Sequence, residues 1–94
     1  MNAQPHIVMY TTASCPFCLR AEKLLLARGV DEIKKLRIDL DPELHAEMME
    51  KTSRRTVPQI FIGDQHIGGC DELMELDRAG KLQPLLSGHC SANP

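Results

Sequence analysis

No stretch of the sequence approaches the ~20 consecutive apolar residues of a membrane-spanning helix. Its opening residues, Met1-Asn2-Ala3-Gln4-Pro5-His6, carry neither the basic start nor the apolar stretch of an export signal, so a cytoplasmic setting is expected. Charge of one sign is also lacking. Eleven Lys and Arg stand against 13 Asp and Glu, a net −2, which gives no basis for nucleic acid as a partner. There is no tryptophan, no internal repeat and no linker-like segment. His6, His45 and His66 show no metal-ligand spacing, and His89-Cys90 has too few further ligands nearby, so no metal is expected.

What remains is an ordinary globular composition, 43% hydrophobic and 26% charged, in 94 residues. That length predicts one domain over 1–94, ordered from about 6 to 86, with 87–94 as a flexible tail and the chain a monomer. Four cysteines in so short a chain would suit a secreted disulfide framework. A C-x-x-C beside a βαβ pattern in a reducing compartment reads instead as a redox pair.

That pair is Cys15-Pro16-Phe17-Cys18. It follows an apolar strand-like run, Ile7 to Tyr10, and opens a helical pattern with Cys18, Ala21, Leu24, Leu25 and Arg28 on one stripe and Gly29 as C-cap. A helix N-terminus has unpaired N–H groups and partial positive charge, which favour thiolate over thiol at the first cysteine. Pro16 suits the first turn, where its missing N–H had no partner to lose. The second sulfur then lies about one turn on, within reach of the first.

Leu36, Ile38 and Leu40 alternate with Arg37 and Asp39 as a second strand, completing a parallel βαβ unit. Asp41-Pro42-Glu43 reads as N-cap, first helical position and dipole partner of a second helix, with Leu44 and Met48 on its inner face. A strand begins at Val57-Pro58 and runs to Ile62, and Gly63-Asp64 predicts a type II′ hairpin to Gln65–Gly68. A helix from Asp71 to Ala79, buried through Leu73 and Leu76, ends at Gly80, and Leu82, Leu85 and Leu86 add one apolar turn. The order β, α, β, α, β, β, α predicts an α/β fold, a four-stranded mixed sheet flanked by three or more helices.

Three segments, Cys15-Pro16-Phe17-Cys18, Thr56-Val57-Pro58-Gln59-Ile60-Phe61-Ile62 and Gly68-Gly69-Cys70-Asp71-Glu72-Leu73, together resemble the glutaredoxin family, dithiol bacterial members above all. The resemblance covers roughly residues 6 to 86. It implies a thioredoxin-like fold with Pro58 in the cis form beside the cysteines. Cys15 would be the nucleophile and Cys18 the resolving thiol, flanked by Pro16 and Phe17. Glutathione would be the reducing co-substrate, with no tightly bound cofactor. Thr56, Val57 and Pro58 would bind it, with the Val57 backbone N–H and C=O pairing with its cysteinyl part, Gly69 would permit close approach, and the N–H groups of Cys70 and Asp71 would receive its γ-glutamyl carboxylate at a helix start. Other partners implied are disulfide-bonded or glutathionylated proteins, ribonucleotide reductase among them, and glutathione reductase indirectly.

Two departures stand out. Relatives often have lysine where this chain has Thr12; Arg54 or Arg55 would supply part of that charge or, as the more ordinary reading, form a solvated pair in a loop. Phe17 replaces a common tyrosine. Asp71 and Glu72 also suit plain dipole stabilisation of the helix start. Cys70 reads as a small buried apolar residue or as a second redox-sensitive thiol, and Cys90 as an exposed thiol without a role. The rival functions are a redoxin reduced by thioredoxin reductase, a thioredoxin, which the missing tryptophan opposes, a zinc module, and an iron–sulfur carrier, which Pro16 opposes.

Overall fold

The computed structural model describes residues 6–86; the expected flexible tail, with His89 and Cys90, lies outside them. Eight elements follow one another: β1 (Ile7–Thr11), α1 (Pro16–Ala27), β2 (Lys34–Arg37), α2 (Pro42–Thr52), β3 (Gln59–Ile62), β4 (Gln65–Gly68), α3 (Cys70–Arg78) and α4 (Leu82–Leu86). The strands form one mixed sheet in the order β2-β1-β3-β4. β1 and β2 are parallel, and β3 runs antiparallel to both β1 and β4. The expected four-stranded α/β architecture is present, with four helices.

Alternation along β1 places the two layers. Ile7 and Met9 enter a core shared with Ile60, Ala21, Leu25, Leu73 and Leu82, which seats α1, α3 and α4 on one face. Tyr10 points the other way, where its hydroxyl donates to Glu47 of α2 and its ring meets Phe61 edge-on at 6.0 Å. Burial and the neighbouring Glu47 push the Tyr10 phenol well above its usual range, so it stays protonated. Arg28, expected on the inner stripe of α1, is exposed at the helix end and holds Asp77 of α3 through a two-pronged ion pair of 2.6 and 2.8 Å.

The second strand differs from its sequence reading. It spans Lys34–Arg37, and the next residues turn, with the Leu40 N–H donating to the Arg37 carbonyl at 3.3 Å and Leu40 71% exposed. The cause is Asp39. Its carboxylate is held by the Arg37 guanidinium at 2.8 and 2.7 Å and accepts the Ala13 N–H at 3.3 Å, which pulls the chain out of the strand before Leu40 arrives. α2 then starts as expected, with Asp41 accepting the Glu43 N–H at 2.9 Å and Pro42 in the first turn. β3 begins two residues later than its sequence reading, at Gln59, and α3 one residue earlier, at Cys70.

The hairpin is a two-residue turn with Gly63 at φ +61°, and β4 closes on Gly68 at φ +115° after a one-residue bulge at Ile67. A Cβ on Gly68 would lie 2.9 Å from Glu72 Oε1, the same atom that accepts the Gly69 N–H at 2.7 Å. Gly68→Ala is therefore expected to lower stability by about 1–3 kcal/mol, read from a denaturant titration. An unchanged midpoint would mean that this turn tolerates a side chain.

Candidate active site

Cys15 is the N-cap of α1, in extended backbone at φ −129° and ψ 100°. Its Sγ accepts the Cys18 N–H at 3.2 Å, and its carbonyl accepts the Leu19 N–H at 3.1 Å. On its other side Cys15 Sγ lies 3.9 Å from the Val57 carbonyl, a contact in which the thiol donates. Val57-Pro58 is a cis peptide bond, as the resemblance implies. Cys15, Cys18 and Cys70 are free thiols.

Cys18 sits deeper, 4% exposed. Burial pushes its thiol up to about 11, and a hydrogen bond to the Cys15 sulfur pushes the same way, against the Thr11 hydroxyl and Thr12 backbone. Cys15 is 9% exposed, so both sulfurs are largely buried, the second as a thiol behind the first. Phe17 projects outward, 54% exposed, with the Arg20 guanidinium 5.8 Å from its ring centre.

The loop before Cys15 is anchored at both ends. The Ile38 N–H donates to the Thr11 carbonyl at 3.0 Å, and Asp39 holds the Ala13 N–H. Arg37 first, and Ala13 in addition, bring the Asp39 carboxyl down to about 2. A group depressed on folding contributes stability that is present above its unfolded value and lost as the pH falls through the folded one. Ala13 amide protection is accordingly expected to weaken from about pH 4 towards pH 2, and Asp39→Asn to remove that dependence. Hydrogen exchange followed by NMR reads this directly, and a flat profile in the unsubstituted protein would contradict it.

Beside Cys15 opens a cleft of about 250 Å³. Phe17, the segment Thr56–Pro58 and the start of α3 at Gly69–Asp71 line it, with Arg54, Gln59 and Glu72 completing it. Three stretches far apart in the chain thus meet at one opening, and they are the three that carried the resemblance. Arg55 does not line it. Cys15 itself lines a second cleft of about 190 Å³, between α1 and β2, together with Thr12 and Cys18. The Cys15 sulfur therefore lies at the boundary of the two, against Val57.

The start of α3, Gly69–Glu72, lines the first cleft, where the first N–H groups have no backbone partner within the helix and the dipole's positive end lies. Glu72 is committed to the helix itself. Its carboxylate closes the cap on Gly69, pairs with Arg54 Nη1 at 3.4 Å, and is drawn down in pKa chiefly by the Gly69 N–H. Asp71 is exposed in the cleft. Cys70 is 4% exposed, touches Met74 Sδ at 3.7 Å, and has its thiol pushed up mainly by burial, which is the geometry of the apolar reading.

Sequence reasoning missed Gln59 and its link to His66. Gln59 is 1% exposed, and its amide nitrogen donates to the Thr56 carbonyl at 3.0 Å while its oxygen lies 2.8 Å from His66 Nε2. With the amide so oriented, His66 donates from Nε2. His66 is half-buried, 5.0 Å from the Phe61 ring centre, and its pKa is lowered first by burial and next by Arg54. This chain of bonds fixes the backbone just before Pro58. The available signal was a lone amide within the otherwise apolar run Val57 to Ile62.

A cysteine capping a helix, a second thiol buried one turn behind it and a cis-proline segment against the first define a thiol–disulfide oxidoreductase of thioredoxin-like fold. The family model described as Glutaredoxin matches residues 7–67. The chain is 54% identical to a glutaredoxin of Pseudomonas aeruginosa over 88% of its length and 98% of that protein. It is 48% identical to glutaredoxin 3 of Escherichia coli K12, over 86% of this chain and 96% of the other. It also superposes on a buckwheat glutaredoxin–glutathione complex with a TM-score of 0.82 at 36% identity, covering 99% of this chain and 84% of that one. The chain belongs to the glutaredoxin family.

Proposed function

We propose that the protein is a cytoplasmic glutathione-dependent reductase working by two routes. It reduces protein disulfides through Cys15 and Cys18, and it removes glutathione from mixed disulfides through Cys15 alone. The observation that carries this reading is the position of Cys15 Sγ, 3.9 Å from the Val57 carbonyl and next to the cleft that ends at Gly69–Asp71. A glutathione whose cysteinyl backbone paired with Val57 as a short added strand would bring its sulfur to Cys15. Its γ-glutamyl carboxylate would reach the N–H groups of Cys70 and Asp71, and the Asp71 side chain would take its ammonium group. Arg54, committed to Glu72 at 3.4 Å, contributes positive charge at the same opening.

In the dithiol route Cys15 attacks one sulfur of a substrate disulfide, forming a mixed disulfide and releasing the other substrate thiol. Cys18 then displaces the remaining substrate sulfur, leaving Cys15–Cys18, which two glutathione molecules reduce in turn. In the monothiol route Cys15 takes the glutathionyl group and a second glutathione removes it as glutathione disulfide. Glutathione reductase and NADPH regenerate the thiol.

The electron donor is tested by NADPH consumption with a glutathionylated peptide, once with glutathione and glutathione reductase and once with thioredoxin reductase instead. Turnover that requires glutathione supports the proposal. Turnover only with thioredoxin reductase would keep the fold and family and overturn the donor.

A further inference from the structure

Thr11 and Gln59 are the two polar side chains buried among the described residues, and Gln59 is the deeper. It opens β3 opposite Tyr10, in a run where leucine or valine would fill the space with no polar atom to satisfy. Its amide is used outside the sheet. Nε2 donates to the Thr56 carbonyl at 3.0 Å and lies 3.4 Å from Thr56 Oγ1, while Oε1 is held by His66 of β4 at 2.8 Å. His66 is in turn seated on the Phe61 ring. With Oε1 taken by a donor, the amide turns its NH2 to Thr56.

The Thr56 carbonyl and the Val57 N–H belong to one planar peptide unit, which is trans. In such a unit the two groups point in opposite directions. A carbonyl held by Gln59 therefore turns the Val57 N–H to the other side, and among the described residues no group accepts that N–H. Thr56 and Val57 both line the cleft beside Cys15.

We propose that Gln59 is a positioning residue for glutathione: by holding the Thr56 carbonyl, with His66 fixing the amide, it aims the Val57 N–H at the cysteinyl carbonyl of the bound tripeptide. The inference rests on the glutathione reading proposed above. Gln59 touches neither sulfur and acts only through the Thr56–Val57 peptide. A disulfide without a peptide group has no carbonyl for that N–H to reach. Loss of the Gln59 donor therefore weakens the reaction with glutathione and spares exchange at Cys15 as such.

The test is a single turnover of the full chain carrying Cys18→Ser, with and without Gln59→Met or His66→Phe, on two disulfides, glutathione disulfide and hydroxyethyl disulfide. In each reaction Cys15 keeps one half of the disulfide and the other half leaves as a thiol. Gln59→Met keeps the length of the side chain and removes its donor. It is expected to slow the reaction with glutathione disulfide by about 5- to 10-fold and to leave that with hydroxyethyl disulfide within about twofold. His66→Phe keeps a ring against Phe61 and is expected to act in the same direction by about threefold, which preserves the test should Gln59→Met not fold. Equal losses on both disulfides would assign these side chains a structural task only, and no loss on glutathione disulfide would remove the role; either result overturns the proposal. If the Cys18→Ser parent shows no preference for glutathione disulfide, the glutathione reading itself fails; if it shows that preference and Gln59→Met retains it, only the role of Gln59 falls.

Discussion

Cys15→Ser is expected to abolish both reduction of protein disulfides and removal of glutathione, a loss of more than about 10⁴-fold that leaves only the background reaction with free glutathione. The thiolate is the attacking species in thiol–disulfide exchange, and a serine hydroxyl does not ionise in the same range. The fold should survive, since Cys15 acts on it mainly through its backbone: extended geometry at the helix start and a carbonyl that accepts the Leu19 N–H. Serine is itself a favoured N-cap and would accept the Cys18 N–H in place of sulfur. Near-normal stability with no turnover is the signature to look for. Deglutathionylation at close to the original rate would mean that another thiol is the nucleophile, and Cys70, which lines the neighbouring cleft, would be the first to examine.

Cys18→Ser is expected to separate the two routes. Reduction of a protein disulfide should fall by about 100-fold or more, because an intramolecular thiol one turn away is replaced by a bimolecular encounter with glutathione. Deglutathionylation should stay within about twofold, since Cys18 contributes to it only the backbone N–H that reaches Cys15 Sγ at 3.2 Å, and the substitution keeps that donor. The burial of Cys18, 4% exposed with its thiol pushed up to about 11, matches a group that waits for the sulfur in front of it to react. Steady-state rates on a glutathionylated peptide and on a protein disulfide, measured side by side, check the split. Equal loss on both substrates would assign Cys18 a structural task.

Much of this arrangement was legible in the sequence because local chemistry fixed it. Pro16 behind Cys15, Asp41-Pro42 before α2 and Gly63-Asp64 between β3 and β4 each carry their signal within two to four residues, and each element follows them. The site was legible for another reason, since three short segments carried the family resemblance and the fold brought them to one opening. What escaped depended on partners distant in the chain. Leu40 continued an alternating pattern that only Asp39, bonded to Ala13 26 residues earlier, interrupts. Arg28 fell on an apolar stripe, and its ion pair with Asp77, 49 residues on, carries it outward. Gln59 and His66 looked unrelated until β3 and β4 folded against each other. Periodicity reports which way a side chain points and not which polar group will meet it there.

The central claim is that Cys15 receives the glutathionyl group, and intact-protein mass spectrometry of the Cys18→Ser variant after exposure to a glutathionylated peptide tests it most directly. One glutathione, mapped by peptide digestion to Cys15 and released by added glutathione, is the predicted result. An unmodified Cys15, or glutathione carried on Cys70 or Cys90 instead, would contradict it.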